Sequence, residues 1–229
     1  MVRLTGATGK NKMAIDDFVL EIDWSDDLKL MQKLCLDMFD ITPSLVTNQP
    51  RSPYFQRVFE NNHAYWRARM WNKIKLKNIY DYPEWSEWRR LIEKFKLHGD
   101  LLFFVTCPEI TPLFVPHRHP GEHPEDFAGA LMLPLIGCDE RSITKYAHWH
   151  DPNNNKYIDS YNYIKGRPEE TQIPDSEVAV EYCLHHKPAI FNRQQFHQIY
   201  NPTESLRVVA HIVFSTESWE ECKELSLIR

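Results

Sequence analysis

The sequence predicts an α+β fold in which helices support a sandwich or barrel of short strands. Three observations predict it. Before Gly99 the apolar residues recur mainly at helical spacing, whereas beyond it they form short runs of β-formers between turn residues. The chain of 229 residues is 42% hydrophobic and 13% aromatic, enough for one well-filled core. Helices first and strands second fits helices gathered on one face of a sheet. The expected organisation is a helical support region over 1–99 and a strand-built core over 100–229 with a short terminal helix, in one compact unit.

Residues 1–12 read as a frayed tail. Gly6-Ala-Thr-Gly9-Lys10 lacks the spacing and the following Ser or Thr of a phosphate loop. Phe18–Ile22 alternates and predicts a strand. Ser25 is placed to cap a helix over 26–39, with Asp26 and Asp27 at its positive end and Leu28, Met31, Leu34 and Cys35 on one face. After a polar connection over 42–52, Pro53–Lys77 interleaves aromatic and basic residues, and this predicts a helix packed on its aromatic side. Pro83 opens a further helix whose stripe runs Trp85, Trp88, Leu91, Ile92, Phe95 and which ends at His98-Gly99. Strands are expected over Leu101–Cys107, Leu113–His117, Ala128–Leu135, Ser142–Tyr146, Tyr157–Tyr163, Val178–Leu184, Pro188–Asn192 and Ser205–Phe214. Ser218–Leu227 returns to helical spacing.

Composition excludes several functions. A net charge of −5 gives no general attraction to nucleic acid or to an anionic membrane. No apolar run approaches the roughly 20 residues of a membrane span, and the N-terminus lacks a signal-peptide core. Five scattered cysteines, none in C-x-x-C spacing, suit reduced thiols in a cytoplasmic protein. With seven glycines, Gly-rich cofactor loops have little raw material. No Gly-x-Ser-x-Gly elbow or His-Glu-x-x-His helix occurs.

Chemistry concentrates in two stretches. In Val115–Leu135, His117 and His119 flank Arg118. On an extended backbone both imidazoles share one side and Arg118 takes the other, so two nitrogen donors converge for a metal ion. Glu122, Glu125 and Asp126 follow. The second stretch is Pro188–Phe214, where a short connection brings up His197 and a strong strand follows. On that strand Arg207, Val209, His211 and Val213 share one face; Leu206, Val208, Ala210, Ile212 and Phe214 share an apolar face that should meet the helices. Arg207 is thereby sent inward, where a guanidinium wants an anion. Glu181 is the internal carboxylate that could serve it. His211 either lines the pocket or is a satisfied core residue. His148, His150, His185 and His186 read as surface or loop residues.

A His pair entering a strand, a second His about 80 residues on and an Arg ten residues beyond that resemble the 2-oxoglutarate- and iron(II)-dependent oxygenases of the double-stranded β-helix fold. Similarity is greatest to aspartyl/asparaginyl-hydroxylase-like and small phage-encoded members. It rests on Gly129–Leu135 and on Pro188, Phe191, Asn192, His197, Asn201 and Arg207. The resemblance covers about 100–216 and implies a jelly-roll, cupin-like barrel with an N-terminal helical layer. It implies Fe(II) on His117 and His197 and the distal carboxylate of 2-oxoglutarate on Arg207, with a hydroxyl from Ser142, Thr144 or Tyr146. The family's carboxylate ligand falls at His119 here, so the third ligand is His119, Glu122 or Asp126. Cupins, which use three His with or without Glu, resemble the spacing too, but leave Arg207 unexplained. The implied activity is hydroxylation of a small-molecule or peptide substrate. A cupin-type metalloenzyme without 2-oxoglutarate and a non-catalytic ligand- or partner-binding barrel are the alternatives. The oligomeric state is left open.

Overall fold

The computed structural model describes residues 3–4, 15–39, 71–75, 86–106, 117–118, 127–147, 158–159, 173–200, 207–216 and 218–225. Three α-helices are found among them: α1 (Asp26–Phe39), α2 (Ser86–Lys94) and α3 (Trp219–Glu224). Twelve strands accompany them. The early ones are β1 (Arg3–Leu4), β2 (Val19–Glu21), β3 (Trp71–Lys75), β4 (Leu97–Thr106), β5 (His117–Arg118) and β6 (Gly129–Ile136). The later ones are β7 (Ile143–Ala147), β8 (Ile158–Asp159), β9 (Val178–Cys183), β10 (Ala189–Asn192), β11 (Phe196–Ile199) and β12 (Arg207–Phe214).

The strands make two six-stranded sheets, in the orders β1-β9-β7-β11-β5-β8 and β2-β10-β6-β12-β4-β3. Every pairing is antiparallel except β5 with β8. Pairing nests along the chain: β7 with β9, β6 with β10, β5 with β11 and β4 with β12. Later strands thus fold back on earlier ones; β4 to β7 and β9 to β12 alternate between the sheets, while β7, β8 and β9 share one.

The period-two pattern of β12 divides the core. Val208, Ala210, Ile212 and Phe214 join Leu28, Met31, Trp88, Leu91 and Trp219 in one cluster, so the three helices cover that face. Val209, on the opposite face, joins Met132, Ala189 and Phe191 of its own sheet and Tyr146, Val180 and Tyr182 of the other, so the sheets share an inner core. Phe95, at the end of α2, lies in the helix-side cluster with Val208, Ala210 and Ile212, as its stripe predicts.

Local signals explain most boundaries. Ser25 Oγ accepts from the Leu28 backbone N–H, capping α1 as expected. A capping box at Ser218 and Glu221 starts α3. Gly129 admits the close passage of α3: a Cβ there would stand 2.5 Å from Cys222 Sγ.

Four expectations need correction. Trp71–Lys75 is an edge strand on β4, not helix, because Trp-Asn-Lys-Ile-Lys alternates at the strand period; residues 53–70 lie outside the described residues. The second helix ends at Lys94, and Lys96 turns the chain with a φ of 50°. His98 and Gly99 therefore belong to β4. Arg3–Leu4, read as tail, pairs with β9. The connection carrying His197 is a strand, β11, held on both sides by β7 and β5. No described helix is long and apolar enough to cross a membrane.

Candidate functional site

The site is built where the inner face of one sheet meets the start of β12. Thr144 and Tyr146 on β7, and Ser142 just before it, are all buried, at spacing two. Tyr146 lies in the register opposite His197 on one side and Val180 on the other. Its ring stands 5.8 Å from the His197 ring, 5.5 Å from Phe18 and 6.0 Å from Phe191, centroid to centroid. This wrapping holds the phenol rigidly and pushes its pKa well above the usual value through burial, so the hydroxyl stays protonated. Among the described residues that hydroxyl has no hydrogen-bond partner.

His197 is oriented by its own strand. Its Nδ1 lies 2.9 Å from the Gln195 carbonyl oxygen. A carbonyl only accepts, so Nδ1 carries the proton and Nε2 the lone pair. That is the tautomer a metal ligand needs, fixed by the backbone. The register sets His117 directly opposite His197 across β5 and β11. Arg118, next on β5, stands 5.6 Å from the ring of Phe196. Phe196 belongs to a separate small cluster with Ala147, Ile173 and Val178, away from His197 and Tyr146. Arg118 is therefore on the face opposite His197, as the alternation predicts.

Arg207 opens β12 on the Val209 face and is 3% exposed. Among the described residues its Nε has no hydrogen-bond partner and no carboxylate is paired with it. The internal partner expected as an alternative, Glu181, is engaged elsewhere: its carboxylate lies 3.5 Å from Lys145 Nζ. What stands beside Arg207 is Cys138. Burial pushes the Cys138 thiol pKa up, and the charge and hydrogen bonding of the guanidinium oppose the rise. Cys138 Sγ lies 3.4 Å from the carbonyl oxygens of Ile136 and Val208. A neutral thiol is a weak partner for a buried cation, and among the described residues no anion meets this guanidinium.

Of the residues the sequence singles out, Tyr146 and His197 come together ring to ring, with His117 at the register position opposite His197, while Ser142, Thr144 and Arg207 are each buried. His119, Glu122 and Asp126 lie outside the described residues. Among the described residues no group of three metal-ligating side chains is assembled. His211 is 8% exposed on the face of Arg207 and Val209. His186 is exposed and His185 half-buried, while His148 and His150 lie outside the described residues. Sequence reasoning missed Cys138, one thiol among five, and the Gln195 carbonyl, since a backbone acceptor has no residue signature.

No family model and no curated protein matches the chain. Among solved structures it is similar to "non-heme alpha ketoglutarate dependent carbocyclase SnoK from nogalamycin biosynthesis". The TM-score there is 0.49 at 11% identity, over 85% of this chain and 78% of that one. It is similar to EvdMO1 at a TM-score of 0.41 and 13% identity, over 86% of this chain and 47% of that one.

Proposed function

We propose that this chain is an iron(II)- and 2-oxoglutarate-dependent oxygenase of hydroxylase type, built on a double-stranded β-helix. The nested antiparallel pairing of eight strands shared between two sheets supports the jelly-roll reading. The single observation that carries the reading is Arg207: a fully buried guanidinium on an inner face, with no carboxylate partner among the described residues. Its planar fork suits one end of a dicarboxylic acid. Tyr146 adds a buried hydroxyl in want of an acceptor, and Thr144 and Ser142 lie on the same strand face.

The residues fit the cofactors on two independent counts. His197 presents its lone pair on Nε2, and the register places His117 opposite it. His117 and His197 would hold the metal, with His119, Glu122 or Asp126 completing the set. Arg207 and Tyr146 would hold the distal carboxylate. When bound, Fe(II) and the keto acid supply the oxygen chemistry that hydroxylates a C–H bond. The chain's own part is to orient and to exclude water. Arg207 fixes one end of the acid by charge, Tyr146 donates its proton to the same carboxylate, and the apolar wall of Phe18, Phe191 and Val209 keeps the surroundings dry.

The reading is tested by metal loading. Stoichiometric uptake of iron(II) or cobalt(II) by the parent protein, lost in both His117→Ala and His197→Ala while each stays folded, is the expected result. Equal metal content in parent and both variants would overturn it.

A further inference from the structure

A groove of about 450 Å³ lies away from the inner core, between α1 and the turn after β6. Trp24, Gln32, Pro134, Gly137, Cys138 and His186 are among the residues that line it. Its walls are pinned. Gln32 Nε2 donates to the Pro134 carbonyl at 2.6 Å and Trp24 Nε1 to the His186 carbonyl at 2.7 Å. Gly137, with a φ of 56°, makes the tight turn that brings Cys138 to the groove floor. Cys138 is only partly buried and faces two ways: it lines the groove, and its sulfur stands 3.4 Å from the carbonyl oxygen of Val208, at the start of β12 next to Arg207, whose guanidinium lies beside it. Arg207 itself is 3% exposed and its Nε has no partner among the described residues.

We propose that Cys138 is the partition between the Arg207 anion site and this groove, and so the residue that sets how long a dicarboxylic acid the site accepts. This rests on the oxygenase reading and deepens it. A carboxylate drawn to the guanidinium, which has no carboxylate partner among the described residues, advances until it meets the Cys138 sulfur. Two carbonyl oxygens, 3.4 Å away, hold that sulfur in place. Beyond it is a preformed groove, not packed core. Removing the sulfur opens space next to Arg207 without breaching either apolar cluster, because Cys138 only borders the inner one.

The experiment compares 2-oxoglutarate with 2-oxoadipate, one methylene longer, as ligands of the metal-loaded protein under anaerobic calorimetry. The proteins are the parent, Cys138→Ala and Cys138→Ser. The parent should prefer 2-oxoglutarate. Cys138→Ala should lower that preference by about tenfold, the low end of what one methylene is worth in a closed pocket. Cys138→Ser, which keeps a hydrogen-bonding atom of smaller size, should fall between. It also tests the idea should the alanine variant fold poorly. Metal affinity should be unchanged throughout. A parent that binds 2-oxoglutarate together with variants of unaltered preference overturns the partition alone. A parent that binds neither acid overturns the oxygenase reading and takes this inference with it.

Discussion

Replacing Arg207 by Met should make the ligand-free protein more stable while abolishing its binding function. The guanidinium is 3% exposed, has an unpartnered Nε, and is not paired with a carboxylate among the described residues. Moving such a cation out of water costs several kcal/mol even after relaxation. A methionine of similar length removes that cost and adds apolar contact with the inner cluster that Val209 joins. Well-packed apolar replacements of buried charges gain about 1–4 kcal/mol. Cys138 already offsets part of the penalty here, so the lower half, about 1–2 kcal/mol, is expected. In a domain of this size each kcal/mol moves Tm by about 2–4 °C. Urea titration of metal-free parent and Arg207→Met, with calorimetry to compare Tm, reads the effect directly. A loss of more than about 1 kcal/mol would refute the reasoning, because it would mean that Arg207 already has an anionic partner within the fold.

Other expectations follow from the same accounting. Tyr146→Phe deletes a buried hydroxyl without a described partner, so stability should hold or rise by about 1 kcal/mol; 2-oxoglutarate affinity should fall roughly tenfold or more, as for a lost hydrogen bond to a charged group, read by denaturation and calorimetry. Gly129→Ala drives a Cβ into Cys222 Sγ and within 3.2 Å of Ile190 Cγ2. It should cost about 1–3 kcal/mol, and Cys222→Ala added to it should recover part of the loss in a double-mutant cycle. Trp88→Ala empties a fully buried site under α2 and should cost about 3–5 kcal/mol by urea titration. Asp27 is held below the usual carboxylate pKa by hydrogen bonds from Lys94 and Arg90. Its folded pKa is depressed, so its contribution is complete above the unfolded value near 3.9 and is lost as pH falls through the folded value. Asp27→Asn should accordingly lower stability at neutral pH, where the contribution is complete, and change it little below the folded pKa, which flattens the acid limb of a stability–pH profile.

Legibility differed from place to place for physical reasons. The two faces of β12 were readable, because they meet different surroundings and the period-two pattern records both. The inward direction of Arg207 follows from that parity alone. Its lack of a carboxylate partner among the described residues does not, since Glu181 is drawn off by Lys145 across the β7–β9 register, and register is a property of the sheet. β11 hid in the sequence because Phe-His-Gln-Ile is four residues long and mixes polar with apolar; pairing on both edges makes it a strand. β3 hid because Lys73 and Lys75 suggested a solvated helix face, while an edge strand tolerates them equally well. Of the first metal-binding stretch only His117–Arg118 falls among the described residues. There His117 falls in the register opposite His197, and Arg118 lies over the ring of Phe196.

The most direct test of the central claim is an anaerobic titration of the iron(II)-loaded protein with 2-oxoglutarate, followed by the visible metal-to-ligand charge-transfer absorption of the chelate. A saturable one-to-one complex is expected in the parent. In Arg207→Gln, loss of a buried charged partner should weaken it by about 2–5 kcal/mol while the metal content stays the same. Iron-loaded parent protein that forms no complex with 2-oxoglutarate would contradict the account.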